Sequence, residues 1–283
     1  MSLTVTSLSH ALGAEIAGVD LRRPQDAETV ARIRQALLDN CILLFRDQDI
    51  TPEQHIAFTA NFGALWCPPG LNRYAHPDHP EIFVVSNRRA DGSMSELPHT
   101  TENWHTDQGF MPQPTTGSLL HCKSTPPAGG DTMFCNLYLA FETLSDTMKN
   151  MLRGLRAVHD HARYRALTTM REQLPQDARP ASAHPVVCRH PETGRELLFV
   201  SAGLTTHFEG MSEEESRPLL DFLCRHATQP AFTYRHRWRV GDILFWDNRC
   251  TLHMAPIDYD LADPANHRLL YRTTLESFTP IPA

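Results

Sequence analysis

Apolar positions recur at helical spacing through residues 26–40, where Val30, Ile33, Leu37 and Leu38 share one face and Asp26 stands where an N-cap belongs. The run Cys41-Ile42-Leu43-Leu44-Phe45 follows at once and reads as a buried strand. Thr51-Pro52-Glu53-Gln54 predicts a second helix start: Thr caps, Pro takes the first helical position, where no N–H is needed, and Gln completes a capping box. That helix is expected to pass Phe58 and Phe62 and to stop at Gly63. Upstream, residues 13–20 alternate small and apolar side chains like a short strand with a tight bend. Downstream the period shortens. Strands are expected at 82–85, 118–121, 132–135, 186–188, 197–200, 243–246 and 269–275, with a Gly194 hairpin turn between the fourth and fifth. Helices are expected at about 140–155 and 216–225, the latter placed so that Pro218 falls in a first turn. Residues 64–104 are polar or rich in Pro and His apart from strand 82–85, and 159–183 are rich in Arg with few periodic apolar positions, so both read as long excursions. Many short strands with a few helices predict a mainly β fold with peripheral helices, a sandwich or barrel. No repeat or linker divides the chain, so one domain over 1–283 is expected. Loops this long in a compact domain are more often functional than accidental.

Composition narrows the function classes. With 41% hydrophobic and 21% charged residues the chain reads as globular rather than disordered. A formal charge of −7 offers no electrostatic footprint for nucleic acid or an acidic membrane, and no apolar run approaches bilayer length. The first residues lack a basic segment followed by a long apolar one, and seven scattered Cys contain no CxxC pair. A reducing, cytoplasmic setting is therefore expected.

Histidine is abundant, at 16 of 283 residues. At that frequency chance alone supplies about one His-x-Asp, so His105-Thr106-Asp107 is weak by itself, and His76-Pro77-Asp78 is a second instance. Its context adds weight. In extended chain, residues i and i+2 point the same way, so His105 and Asp107 can grip one ion. A third ligand must come from a distant segment, and His253 lies just past the apolar strand 243–246 and the turn Asp247-Asn248-Arg249. Two imidazoles and a carboxylate on one face leave open positions, as non-haem Fe(II) oxygenases require. Arg268, Leu270 and Arg272 fall on one face of the last strand. On an outer face these arginines would be ordinary solvated groups; on an inner one they are costly unless they meet anions, which a guanidinium fork grips bidentately.

With these residues in hand, the sequence resembles the Fe(II)/2-oxoglutarate-dependent dioxygenases of the taurine and 2,4-dichlorophenoxyacetate dioxygenase family, over nearly the whole chain. The resemblance rests on residues 12–21 (Leu12-Gly13-Ala14-Glu15-Ile16 then Gly18-Val19-Asp20-Leu21), Trp104-His105-Thr106-Asp107, Pro126-Pro127-Ala128-Gly129-Gly130-Asp131-Thr132, Trp246-Asp247-Asn248-Arg249, His253, and Arg268 with Arg272. It implies a double-stranded β-helix, or jelly roll, with iron at its open end. It implies His105, Asp107 and His253 as iron ligands and Thr132 and Arg268 as holders of the distal carboxylate of 2-oxoglutarate. Arg272 then matches the residue that holds an anionic prime substrate, and His76 matches the family's anion-binding histidine. O2 is the further co-substrate, succinate and CO2 are the co-products, and a homo-oligomer, dimer or tetramer, is implied. Around Thr100-Thr101-Glu102-Asn103 the acidic and amide pair that meets the taurine amine is missing, which speaks against taurine itself. Asp107 speaks against the related halogenases, which lack a carboxylate there.

Two other classes compete. A Zn(II) hydrolase could use the same His/Asp/His set, but it would leave Thr132 and Arg268 without a purpose, and His-Glu-x-x-His and His-x-His-x-Asp-His patterns are absent. A non-catalytic jelly-roll binding protein would have no use for an intact ligand set facing an arginine clamp.

Overall fold

The computed structural model describes residues 3–67, 74–95, 98, 101–167 and 181–283. In chain order its elements are β1 (Thr4–Ser7), β2 (Ala14–Ala17), α1 (Ala27–Asn40), β3 (Ile42–Phe45), α2 (Pro52–Ala60), β4 (Phe83–Ser86), β5 (Gly117–Ser124) and β6 (Thr132–Asn136). There follow α3 (Leu137–Glu142), α4 (Asp146–Arg153), β7 (Arg156–His159), α5 (His161–Ala166), β8 (Ser182–Pro185), β9 (Val187–Arg189), β10 (Glu196–Leu198) and β11 (Thr205–Phe208). The chain ends with α6 (Glu213–Ala227), β12 (Thr233–His236), β13 (Ile243–Asp247), β14 (Thr251–Met254), β15 (Leu269–Thr274) and β16 (Ile281–Pro282). The protein is thus sheet-rich with peripheral helices. Among the described residues no helix is long and apolar enough to cross a membrane.

A seven-stranded sheet in the order β1-β2-β3-β13-β5-β15-β4 is antiparallel except at β2–β3. A smaller sheet, β12-β6-β14, carries two of the segments singled out in the sequence, Thr132 and His253. The continuous apolar runs are explained by burial on both faces of the large sheet. Leu244 and Trp246 of β13 share a core with Leu120, Phe134 and Leu270, whereas Ile243 and Phe245 share another with Ile33 of α1, Phe58 of α2 and Leu119. Each such side chain contributes about 1.5–3 kcal/mol on leaving water.

The local signals at Asp26 and Thr51 work as expected: Asp26 accepts from the Thr29 N–H, and Thr51 with Gln54 forms a reciprocal capping box. The Gly194 hairpin joins β9 and β10 in antiparallel register. Four expectations need correction. Helix 140–155 is two helices, because Ser145 accepts from the Met148 N–H and caps a new start at Asp146. Helix α6 begins at Glu213, not 216, so Pro218 lies inside it. Ser212 and Glu215 form a capping box there and Glu213 to Glu215 stand at the positive helix end, which outweighs one missing N–H. Helix α2 stops at Ala60, and Phe62 packs beyond it, 5.3 Å from Phe58 and 5.0 Å from Phe245 between ring centroids. The expected excursion 159–183 is not all loop, since the end of β7, all of α5 and the start of β8 fall within it, and 168–180 lie outside the described residues. Of the excursion 64–104, residues 68–73, 96–97 and 99–100 also lie outside them.

Candidate metal centre and anion pocket

His253 is placed by β14, whose register sets it opposite Phe134 of β6. A backbone bridge couples it to the incoming segment: His105 N–H donates to the His253 carbonyl at 3.0 Å and His253 N–H to the His105 carbonyl at 2.8 Å. Asp107 follows two residues on, just before Gln108, whose φ of +56° turns the chain away. The loop is tied down by the Thr106 hydroxyl, which donates to the Asn248 carbonyl at 2.8 Å, and by Thr115 Oγ1, which donates to the Asp107 carbonyl. The three predicted side chains meet. Each offers one ligand atom, these atoms lie within 4.8 Å of one another, and all three residues are buried.

The surroundings prepare these groups as ligands. His105 Nδ1 lies 2.7 Å from the Asn103 carbonyl, which fixes that nitrogen as the N–H and leaves Nε2 as the electron donor. The His253 ring is held by packing: Trp246 lies 5.0 Å away between centroids and Phe134 stacks at 5.9 Å. Its Nδ1 is buried without a hydrogen-bond partner among the described residues. Burial lowers the pKa of both imidazoles, that of His253 to about 3 with help from His105, so both stay neutral. Burial alone would raise the Asp107 carboxyl, but Arg272 and the two imidazoles outweigh it and hold it at about 2. Arg272 Nη1 donates to Asp107 Oδ1 at 3.1 Å and Ser118 Oγ to Oδ2 at 3.1 Å. Two neutral imidazoles and a carboxylate suit a divalent cation with open positions.

Arg272 lies in β15 and Arg268 just before its start, and both guanidiniums reach residues of the site. Arg268 is buried, and burial lowers its pKa. Its Nε donates to the Gly130 carbonyl at 2.8 Å and its Nη2 to Thr132 Oγ1 at 3.3 Å. Among the described residues no carboxylate lies within 4 Å of its guanidinium. A buried cation without an anion is costly, so this end of the site is built for an incoming one. Arg272 lies over the Phe83 ring at 4.8 Å, and its Nε is buried without a partner among the described residues.

His76, expected at the substrate anion rather than at the metal, is not among the three clustered ligand residues. Its ring packs against His79 at 5.1 Å and Tyr271 at 5.3 Å. Tyr271 is adjacent to Arg272 in β15 and so points to the other face. A histidine in a loop offers no periodicity from which its direction could be read. Three residues that sequence reasoning passed over complete the site: Ser118 against Asp107, Asn248 under Thr106, and Trp238, whose Nε1 donates to Thr132 Oγ1 at 3.0 Å. Only Asn248 had a signal, as part of Trp246-Asp247-Asn248-Arg249.

A mainly β protein that holds two histidines and a carboxylate beside a buried, anion-seeking arginine belongs to the class of metal-dependent oxygenases. The family described as "Taurine catabolism dioxygenase TauD, TfdA family" matches residues 4–274, and the chain belongs to it. The alpha-ketoglutarate-dependent 2,4-dichlorophenoxyacetate dioxygenase of Cupriavidus pinatubonensis (strain JMP 134 / LMG 1197) is 34% identical, spanning 98% of this chain and 99% of its own length. The taurine dioxygenase structure from Burkholderia xenovorans is 38% identical, with a TM-score of 0.83, over 100% of this chain and 93% of that one. The structure of AAD-2 in complex with Mn(II) and N-oxalylglycine is 29% identical, with a TM-score of 0.81, over 99% of both chains. The protein is accordingly a 2-oxoglutarate-dependent non-haem iron dioxygenase, with Fe(II) as its metal and 2-oxoglutarate as co-substrate.

Proposed function

We propose that this dioxygenase hydroxylates a small anionic organic substrate: a sulfonate, a sulfate ester, a phenoxyalkanoate or another carboxylate. The observation that carries this reading is the pair of inward guanidiniums beside the His105/Asp107/His253 cluster. His105, Asp107 and His253 hold Fe(II). Arg268 and Thr132 take the distal carboxylate of 2-oxoglutarate, and Arg272 turns its remaining N–H donors to the substrate anion. Relatives named for 2,4-dichlorophenoxyacetate and as an alkylsulfatase (Acinetobacter baylyi, 32% identical over 96% of this chain) support the substrate class. Bound iron with 2-oxoglutarate supplies the O2-driven oxidation that hydroxylates a carbon and releases succinate and CO2. The chain's own contribution is orientation and exclusion of water. Where the hydroxylated carbon carries an oxygen or sulfur substituent, the product collapses with loss of sulfite, sulfate or a phenol. His76, whose ring packs against Tyr271 next to Arg272, is the further residue assigned to the substrate anion.

The finer architecture of this reading is a jelly roll formed by the large sheet and β12-β6-β14, within one domain over 1–283. The described residues of the segments 64–104 and 159–183 are assigned to the wall over the pocket. The enzyme works in the cytoplasm as a homo-oligomer, a dimer or tetramer. Anaerobic addition of Fe(II) and 2-oxoglutarate tests the reading: a weak visible charge-transfer band is expected, and candidate anions should stimulate succinate formation. His105→Ala should abolish succinate production, whereas Arg272→Ala should mainly weaken substrate binding. Activity with zinc alone would point to a hydrolase, and ligand binding without turnover would point to a binding protein; either overturns the assignment.

A further inference from the structure

The Arg268 guanidinium is anchored on a glycine whose backbone is also held from its other peptide. Gly130 is that link: its carbonyl accepts from Arg268 Nε at 2.8 Å, while its N–H donates to Asp258 Oδ1 at 2.8 Å. Gly129 and Gly130 have φ of +79° and +70°, and a Cβ on Gly129 would come within 2.7 Å of Asp258 Oδ1 and 2.9 Å of its carbonyl oxygen. Gly129 must therefore be glycine for the loop before β6 to pass this close to Asp258, and the left-handed φ of Gly130 also favours glycine. Arg235 closes the arrangement, donating to Asp131 Oδ2 at 2.6 Å and to Asp258 Oδ2. Asp131 is the residue immediately before Thr132, so the same clamp bears on both groups of the anion pocket. Asp258 sits in the connection between β14, which carries His253, and β15, which Arg268 immediately precedes. It touches neither.

We propose that Asp258 is a positioning residue for the co-substrate pocket: through the two peptide units that flank Gly130 it fixes the direction of the Arg268 guanidinium. This rests on the reading of Arg268 as the partner of the 2-oxoglutarate distal carboxylate. Asp258→Ala removes the acceptor for Gly130 and the partner of Arg235. Asp258→Asn keeps one acceptor, for Gly130, and replaces the charged oxygen that faces Arg235 with an amide NH2.

The test is calorimetric binding of N-oxalylglycine to the Mn(II)-loaded protein, alongside KM for 2-oxoglutarate and kcat. Asp258→Ala should weaken analogue binding about tenfold, the loss expected for one charge-assisted hydrogen bond and the order it imposes, and Asp258→Asn about threefold. Mn(II) affinity without the analogue and kcat at saturating 2-oxoglutarate should stay within about twofold of the starting protein, because the clamp does not reach the metal ligands. In an Arg268→Ala background, Asp258→Ala should cost clearly less than it does alone, since the route through Arg268 is gone and only that through Asp131 to Thr132 remains. Additive losses in the double variant, or an equal loss of Mn(II) affinity, would overturn the positioning role in favour of general structural support. If Arg268→Ala binds the analogue normally, the reading of Arg268 fails. If it loses binding while Asp258→Ala and Asp258→Asn do not, that reading stands and the role of Asp258 is refuted. Should Asp258→Ala not fold, Asp258→Asn carries the comparison alone.

Discussion

The hydroxyl of Thr132 shows how one atom can be given a direction. Trp238 Nε1 and Arg268 Nη2 both donate to Oγ1, at 3.0 and 3.3 Å. A hydroxyl has two acceptor lone pairs and one proton, so with both pairs engaged its own O–H is left to donate. On the proposed assignment that donor meets the co-substrate carboxylate. Trp238 is buried and its ring stands edge-on to His236 at 4.6 Å, so Trp238→Phe preserves most of the packing and removes only the N–H. The variant should raise KM for 2-oxoglutarate about fivefold, corresponding to roughly 1 kcal/mol for one hydrogen bond, with kcat at saturation unchanged. Steady-state succinate assays read this directly. An unchanged KM would show that the Thr132 proton is not set by Trp238.

At the scale of elements, the turn from β13 to β14 decides where His253 emerges, and it is held by a buried charge network. Arg249 grips Asp247 through Nε at 2.9 Å and Nη2 at 2.7 Å, His190 Nε2 lies 3.1 Å from Asp247 Oδ2, and Arg249 Nη1 reaches Glu192 at 2.6 Å. Burial works against the ionised Asp247, but Arg249 and His190 outweigh it and hold its pKa well below the ordinary range. Asp247→Ala leaves Arg249 and His190 without that partner and should cost about 3–5 kcal/mol of stability, measured from urea unfolding. It should also weaken Mn(II) binding, because the neighbouring Asn248 carbonyl holds Thr106 between the two ligands His105 and Asp107. A shifted midpoint with unaltered Mn(II) affinity would separate the turn from the metal site. This network marks where legibility ends. The apolar run of β13 and the capping signals of α1 and α2 are local and were readable, and His105, Asp107 and His253 were readable as residue types with a spacing. Of the partners of Asp247, His190 lies 57 residues away just past β9, and Ser118 and Trp238 carry no motif, so no period along the chain reveals them. Pro218 misled for the converse reason: a strong local rule was overridden by the Ser212–Glu215 capping box.

For the whole molecule, the net charge of −7 says nothing against an anionic substrate when Arg268 and Arg272 face inward, because the local field at the pocket is set by groups within a few ångströms. The abundant histidines, too, act mostly away from the site. His55 and His121 meet edge-to-face at 5.8 Å between α2 and the outer face of the large sheet, and His159 packs against His184 at 5.3 Å. Burial lowers the pKa of His55 to about 3, that of His121 to about 4 and that of His159 to about 3, from an ordinary 6.5. These imidazoles are neutral in the folded chain and take up protons freely only when it unfolds. Below pH 6.5 the unfolded state binds more protons, so stability present above that pH is lost progressively as the pH falls towards 4 and 3. Each such histidine contributes a slope of up to about 1.4 kcal/mol per pH unit in that window. Asp247, with its depressed pKa, adds its own loss only at lower pH, when carboxylates protonate in the unfolded chain. Urea midpoints in chelator-containing buffer should therefore fall steeply between pH 6.5 and 4. His55→Asn keeps a polar side chain beside Thr273, whose hydroxyl lies 3.1 Å from His55 Nε2, and cannot be protonated there. It should flatten that slope by about one proton's worth whatever it does to stability at pH 7.5, and an unaltered slope would show that His55 is not among the groups that drive acid unfolding.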